Sequence, residues 1–265
     1  MKATLRVTAL ALLAVTATLH VHDAAAQGWT WRATLYGWFP SIRSETQSFD
    51  TGGGQRVLIE VDPGSYLSNL QSGFMGSIEA RKGSWSFIGD AIYLNLGDTK
   101  SRVKSIIGPG GAIAVPLQTR IETDLEGAVV TVAAGHRIAA AEQPVDLVFG
   151  LRHGRVKPSL AWDFGVQVGT LARTESAEAP ERFTDAIVGL RGRAAFDGPW
   201  FVPYHVDLGT GSSRLTWQAM AGVGYRFGWG EASLVYRHLA YDFKSDSAIS
   251  DLGFSGPAIG ASFAF

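Results

Sequence analysis

The chain contains no cysteine. Disulfides, thiol nucleophiles and thiolate metal sites are therefore excluded. Net charge is almost absent, with 23 Lys and Arg against 24 Asp and Glu. That balance lacks the basic footprint of a nucleic-acid-binding protein, and no nucleic-acid partner is expected. Histidine is scarce: past residue 26 only His136, His153, His205 and His238 occur. They are scattered, without the i, i+4 or similar spacing of a zinc site, and neither metal nor cofactor is expected. Past residue 26 no apolar run approaches the ~20 residues a spanning helix needs.

Glycine and aromatic residues are present in quantity. There are 32 glycines in 265 residues, against a usual ~7%. Eight tryptophans and 14 phenylalanines accompany them. The first 26 residues form a separate unit. Lys2 and Arg6 precede an apolar run from Val7 to Leu19, and Ala24 and Ala26 supply the small residues of an A-x-A site. This is the pattern of a secretory signal peptide cut between Ala26 and Gln27. Its apolar run of 13 residues is too short to span a bilayer as a helix. Cleavage removes Lys2, Arg6 and Asp23 and leaves a net charge of −2 on residues 27–265.

Those residues alternate. In "LTWQAMAGVGYRF", Leu215, Trp217, Ala219, Ala221, Val223, Tyr225 and Phe227 share one face, and Thr216, Gln218, Met220, Gly222, Gly224 and Arg226 the other. Period two means strand. Ten such segments are expected, near 29–39, 72–82, 84–97, 119–137, 145–157, 183–196, 199–209, 213–227, 231–243 and 252–265. Most exceed the ~5–6 residues of a globular strand and match the ~9–11 that a tilted strand needs to cross a bilayer. Short turns at Lys82–Ser84, Ala139–Pro144, Asp197–Pro199 and Gly228–Gly230 alternate with longer links, of which Pro40–Gln71 is the longest. One short-turn end and one long-loop end is the layout of an outer-membrane barrel with periplasmic turns and extracellular loops.

Face polarity separates membrane from soluble barrels. One face of each strand is nearly uncharged, as in Trp200, Val202, Tyr204, Val206 and Leu208. The opposite face collects eight basic residues (Arg32, Arg81, Arg152, Arg191, Arg193, Arg214, Arg226, Arg237) and eight acidic ones (Glu79, Asp90, Glu122, Asp124, Glu126, Asp146, Asp185, Asp207). A charged face cannot be a soluble core, because unpaired buried charge costs several kcal/mol per ion. It could be the outside of a soluble barrel. Trp and Tyr near the strand ends of the apolar faces favour lipid instead, since such residues form interfacial girdles. The expectation is an all-β, closed, antiparallel transmembrane barrel of about ten strands, integral to the bacterial outer membrane and bathed in its lipid. Its balanced, salt-bridged lumen is expected to be narrow, because a wide water-filled pore needs ~16 strands.

The ending "GPAIGASFAF" then has a reason. Pro257, Ile259, Ala261, Phe263 and Phe265 share the apolar face. In lipid every backbone group must be paired, so the sheet closes on itself and the last strand is a structural member.

Several stretches carry a family resemblance: "LYGWFP" (Leu35–Pro40), "SYLSNL" (Ser65–Leu70), Gly76–Gly97, "FTDAIVGLRGR" (Phe183–Arg193), Thr216–Phe243 and "FSGPAIGASFAF" (Phe254–Phe265). Together they resemble a family of small, mostly uncharacterised proteobacterial outer-membrane β-barrel proteins, akin to the OmpA/OmpW-like barrels. The terminal aromatic also resembles the recognition signal of outer-membrane proteins. The resemblance implies export through the secretion translocon and insertion by the barrel-assembly machinery. It assigns no activity, and fold alone does not supply one.

Catalysis has few candidates. His205 lies beside Asp207 on the charged face, but residues two apart on a strand are simply neighbours. No serine near a histidine has a nucleophile-elbow context. The glycine-rich stretches Thr51–Gln55, Gly108–Ala112 and Gly209–Ser213 lack the Lys-Ser/Thr and the following helix of a phosphate loop. The expected role is non-enzymatic, structural or as a narrow channel. An outer-membrane hydrolase or acyl-transfer enzyme, and a loop-borne ligand- or surface-binding protein, are the alternatives. One link stays open: Asp62 and Pro63 could start a short helix with Tyr66, Leu67 and Leu70 on its apolar side, or the strands could extend past the membrane.

Overall fold

The computed structural model describes residues 28–47, 56–67, 70–107, 113–114, 121–139, 143–163, 174–178, 181–244 and 249–265. The signal segment, with Ala24 and Ala26, lies outside the described residues. The elements are β1 (Thr30–Trp38), β2 (Ser41–Gln47), β3 (Arg56–Val61), α1 (Pro63–Tyr66), β4 (Leu70–Lys82), β5 (Trp85–Ile107), β6 (Ile113–Ala114), β7 (Ile121–Ala139), β8 (Val145–Asp163), β9 (Thr174–Glu178), β10 (Glu181–Ala195), β11 (Trp200–Gly211), β12 (Ser213–Phe227), β13 (Gly230–Phe243) and β14 (Ile249–Ala264). No helix among the described residues is long and apolar enough to cross a membrane, which says nothing of strands.

All strands belong to one sheet, and every pairing is antiparallel. β1, β4, β5, β7, β8, β10, β11, β12, β13 and β14 close a ring of ten, sealed where β1 pairs β14 from Arg32↔Ala264 to Trp38↔Ala258. The ten expected segments are these ten strands. Exposed Leu35, Val132, Leu151, Val188, Leu208, Leu234 and Ile259 stand on the outside. The wall thus presents its apolar face outward, as a lipid-crossing barrel requires. Aromatic rings belt the short-turn end. Trp200 meets Tyr225 at 4.8 Å, Tyr225 meets Phe227 at 4.6 Å, Phe227 stacks on Trp229 at 5.3 Å and Trp229 touches Phe263 at 5.5 Å.

Toward the long-loop end the wall changes its members. β14 leaves β1 and pairs β2 from Ser255↔Ser41 to Ile249↔Thr46, and β2 and β3 carry the sheet across to β5. Gly256 sits at this switch. A Cβ there would lie 2.3 Å from the Phe39 carbonyl oxygen, so only glycine admits the crossing backbone. Both open possibilities for the long link occur together. β2 and β3 extend the wall, and α1 makes one turn with Pro63 at its start. The Asp62 side chain does not cap that turn; it accepts a hydrogen bond from the Ser41 hydroxyl. Tyr66 and Leu67 part company, the first buried and the second exposed.

β5 and β8 run well past their expected ends near residues 97 and 157, to Ile107 and Asp163. Outside lipid neither face has to be apolar, so the alternation that reveals a spanning strand fades while the ladder continues.

Candidate functional site

Inward-pointing side chains form two storeys. The change is sharp along three strands: Tyr36 is followed on the same face by buried Trp38, Asp90 by buried Ile92, and Arg237 by buried Leu239. From that height toward the long loops the interior is an apolar plug. Phe183 packs on Tyr241 at 4.5 Å and on Phe243 at 5.2 Å, with Leu239, Ile249 and Leu252 in the same cluster. Tyr66 of α1 joins them and donates its phenol to the Pro40 carbonyl at 2.8 Å. Burial pushes that phenol's pKa well above its ordinary value.

Below the plug lies a polar layer. Arg152 reaches Asp207 Oδ2 at 2.7 Å, and His205 Nε2 meets the same oxygen at 2.6 Å. Arg237 donates to Gln218 Oε1 at 2.6 and 3.0 Å, to the Tyr36 hydroxyl at 3.1 Å and to Asp90 at 3.4 Å. Tyr36 in turn donates to Asp90 at 2.8 Å. Asp185 accepts from the Ser213 backbone N–H and hydroxyl at 2.7 and 2.8 Å.

The lower part of this polar storey lines the short-turn mouth. Glu231 is its hub: it pairs with Arg32, with Arg193 through two bonds of 2.6 Å, and with Arg226 at 3.4 Å. The Arg193 guanidinium also lies 4.0 Å from the centre of the Phe201 ring. Glu79 holds Arg191 at 3.0 Å and Arg81 at 2.9 Å, and Asp146 holds Arg81 and, at 2.5 Å, Arg137. A cavity of about 200 Å³ occupies the middle, bordered by Arg32, Arg191, Arg193, His205, Asp90 and Glu231 among others.

The expected lumen residues Arg32, Glu79, Arg81, Asp90, Asp146, Arg152, Asp185, Arg191, Arg193, Asp207, Arg226 and Arg237 all face this interior. Two further members were missed, Arg137 and Glu231. Glu231 has the parity of Arg237 along β13, and Arg137 that of buried Val129 and Ala133 along β7; this signal could have found both.

Two expected members are elsewhere. Arg214 is exposed at the long-loop end and pairs with Asp242. Glu126 has the parity of Val130 and Val132, which face outward. The side chains of Glu122 and Asp124 lie outside the described residues. The balance of eight against eight therefore does not hold. Among the described lumen residues eight arginines face six carboxylates, and the upper storey is apolar rather than polar.

No family model and no curated protein matches the chain. Solved structures do. The outer membrane protease OmpT from Escherichia coli covers 89% of this chain and 97% of its own at 10% identity, with a TM-score of 0.53. The translocator domain of autotransporter NalP from Neisseria meningitidis covers 90% and 88% at 14% identity and a TM-score of 0.37. Ail, the attachment invasion locus protein of Yersinia pestis, covers 90% and 99% at 12% identity and a TM-score of 0.34. The fold is that of an outer-membrane β-barrel.

In such a barrel the remaining histidines are wall residues. His136 packs edge-on against Trp85 at 4.8 Å, His153 meets the Thr184 hydroxyl at 2.8 Å, and His238 lies against Trp217 at 4.4 Å. Among the described residues no three His, Asp or Glu side chains converge as metal ligands. Phe263 and Phe265 stand half-exposed in the aromatic belt at the closing seam.

Proposed function

We propose that this chain is an integral protein of the bacterial outer membrane, one of the small OmpA/OmpW-like proteobacterial barrels, with a non-enzymatic, structural role and a lumen that does not conduct. The observation that carries this reading is the plug. Phe183, Leu239 and Tyr241 are at most 1% exposed, and they sit directly above an Arg152–Asp207 pair that is equally buried. Passage of a solute would require unpacking an apolar core and separating a desolvated ion pair at the same time. His205 supports the non-enzymatic reading. It shares one Asp207 oxygen with Arg152, and its side chain lies beneath the plug, away from substrates at the long-loop end.

Two measurements test the proposal. Fractionation should recover the protein with the outer membrane as a heat-modifiable band. Reconstituted in planar bilayers, it should give no current steps. Steady single-channel currents from the pure protein would overturn the closed lumen and favour a channel.

A further inference from the structure

The lower storey of the lumen is unlike a neutral salt-bridge filling. Between the short turns and the level of Arg152 it holds Arg32, Arg81, Arg137, Arg191, Arg193 and Arg226, against Glu79, Asp146 and Glu231. Even with Arg152, Arg237, Asp90, Asp185 and Asp207 counted in, the described lumen carries two more positive than negative charges, eight arginines against six carboxylates. Charges confined together without compensation repel, and the low-dielectric wall strengthens the repulsion.

The donors are also in excess. A guanidinium has five N–H groups and a carboxylate about four acceptor positions, yet Glu231 alone serves three arginines. Arg191 has its ion pair with Glu79 on one side and the cavity on the other. The side chains of Arg32, Arg191 and Arg193 keep 31, 31 and 25% exposure, facing the cavity of about 200 Å³. That volume suits a molecule of a few heavy atoms. The cavity is capped by the plug, so access is from the short-turn end.

We propose that this half of the lumen is a binding site for a small oxyanion of two or more negative charges, a phosphate group or a dicarboxylate, entering from the short-turn side. Arg191 and Arg193 are its principal ligands: Arg191 meets Glu79 through one terminal nitrogen and turns the rest of its planar fork to the cavity, and Arg193, whose two terminal nitrogens hold Glu231, adds its remaining N–H groups and its charge. Arg32 shares Glu231 Oε2 with Arg193 and borders the same cavity, and Arg81, Arg137 and Arg226 at the rim raise the local concentration of anions. The closed end makes this a site of capture rather than a conduit.

The test uses the folded barrel in detergent at fixed ionic strength, titrated calorimetrically with inorganic phosphate, succinate and chloride. Saturable binding of phosphate or succinate, with none of chloride, is expected; the preferred probe tells the two oxyanion sources apart. Arg191→Gln and Arg193→Gln should each weaken it by about tenfold, the worth of one charge-assisted contact. A second readout needs no variant. Phenylglyoxal labelling of wild-type arginines, read by mass spectrometry, should be slowed at Arg191 and Arg193 by phosphate or succinate but not by equal ionic strength of chloride. Absence of saturable binding, or labelling that no oxyanion slows, overturns the site. These readouts do not involve current, so their failure leaves the closed-lumen reading untouched.

Discussion

Arg152 and Asp207, from β8 and β11, are joined at 2.7 Å with side chains only 1% and 0% exposed. They form the floor on which the apolar plug rests. Their Coulomb attraction offsets two desolvation costs, so the two singles and the double should differ. Arg152→Met or Asp207→Leu strands one charge and should lower stability by about 3–5 kcal/mol. Arg152→Met with Asp207→Leu removes both charges and should cost less than either single change. Urea unfolding of the three variants in detergent checks this; a double variant as weak as the sum of the singles would contradict the pairing.

Glu231 and Arg226 are partners of unequal weight. Glu231 is 10% exposed and holds three guanidiniums, whereas Arg226 is 58% exposed and touches it only at 3.4 Å. Glu231→Gln should destabilise the barrel by about 2 kcal/mol, a buried-pair cost discounted for the partly exposed arginines. The loss should grow at low salt, where the arginines repel more strongly. Arg226→Gln should cost about 1 kcal/mol or less. Equal losses in the two variants would show that Glu231 is not the hub.

Gly154 on β8 makes room for the plug. A Cβ at this position would lie 2.0 Å from the Phe183 ring. Gly154→Val should therefore destabilise by about 1–3 kcal/mol or more through overpacking. Gly127, its close neighbour on β7, has open space at the Cβ position, and Gly127→Ala should change stability by only about 0.5 kcal/mol. The gel-shift melting temperature reads both. Phe183→Leu in the Gly154→Val background should restore part of the loss, because the shorter side chain vacates the contested space.

The barrel itself was legible because lipid imposes strict alternation. Leu215 to Phe227 and Ile259 to Phe263 could face only one way, and the strands follow. Ion-pair partners were less legible. Parity places Arg32 and Glu231 in the lumen, but it cannot say that residues 199 positions apart meet. That depends on how ten strands stagger around the ring. The plug was missed for a related reason. Phe183, Leu239 and Tyr241 occur on the charged face, and a few apolar residues there read as noise until register brings them to one height. Beyond the lipid, β2, β3 and the upper part of β5 lost the alternating signal altogether.

Phe265 closes the ring. Its backbone N–H donates to the Trp31 carbonyl and its carbonyl accepts from the Trp31 N–H, both at 2.9 Å. The residue is 47% exposed at the short-turn end, where the aromatic belt lies. Deleting Phe265 removes this reciprocal pair at the seam and shortens the strand that seals the wall, leaving backbone groups unpaired beside lipid. It also removes an interfacial aromatic. On the proposed route through the barrel-assembly machinery, export to the periplasm should continue while outer-membrane insertion falls. Phe265→Trp and Phe265→Tyr should be tolerated, because amphipathic rings suit the interface; Phe265→Asp should not, because a carboxylate there must be desolvated. Heat-modifiable gel shifts in outer-membrane fractions report the folded share of each variant. An aspartate variant that folds and fractionates like wild type would mean that the β1–β14 seam does not depend on its last residue, and assembly would then have to be directed from another strand.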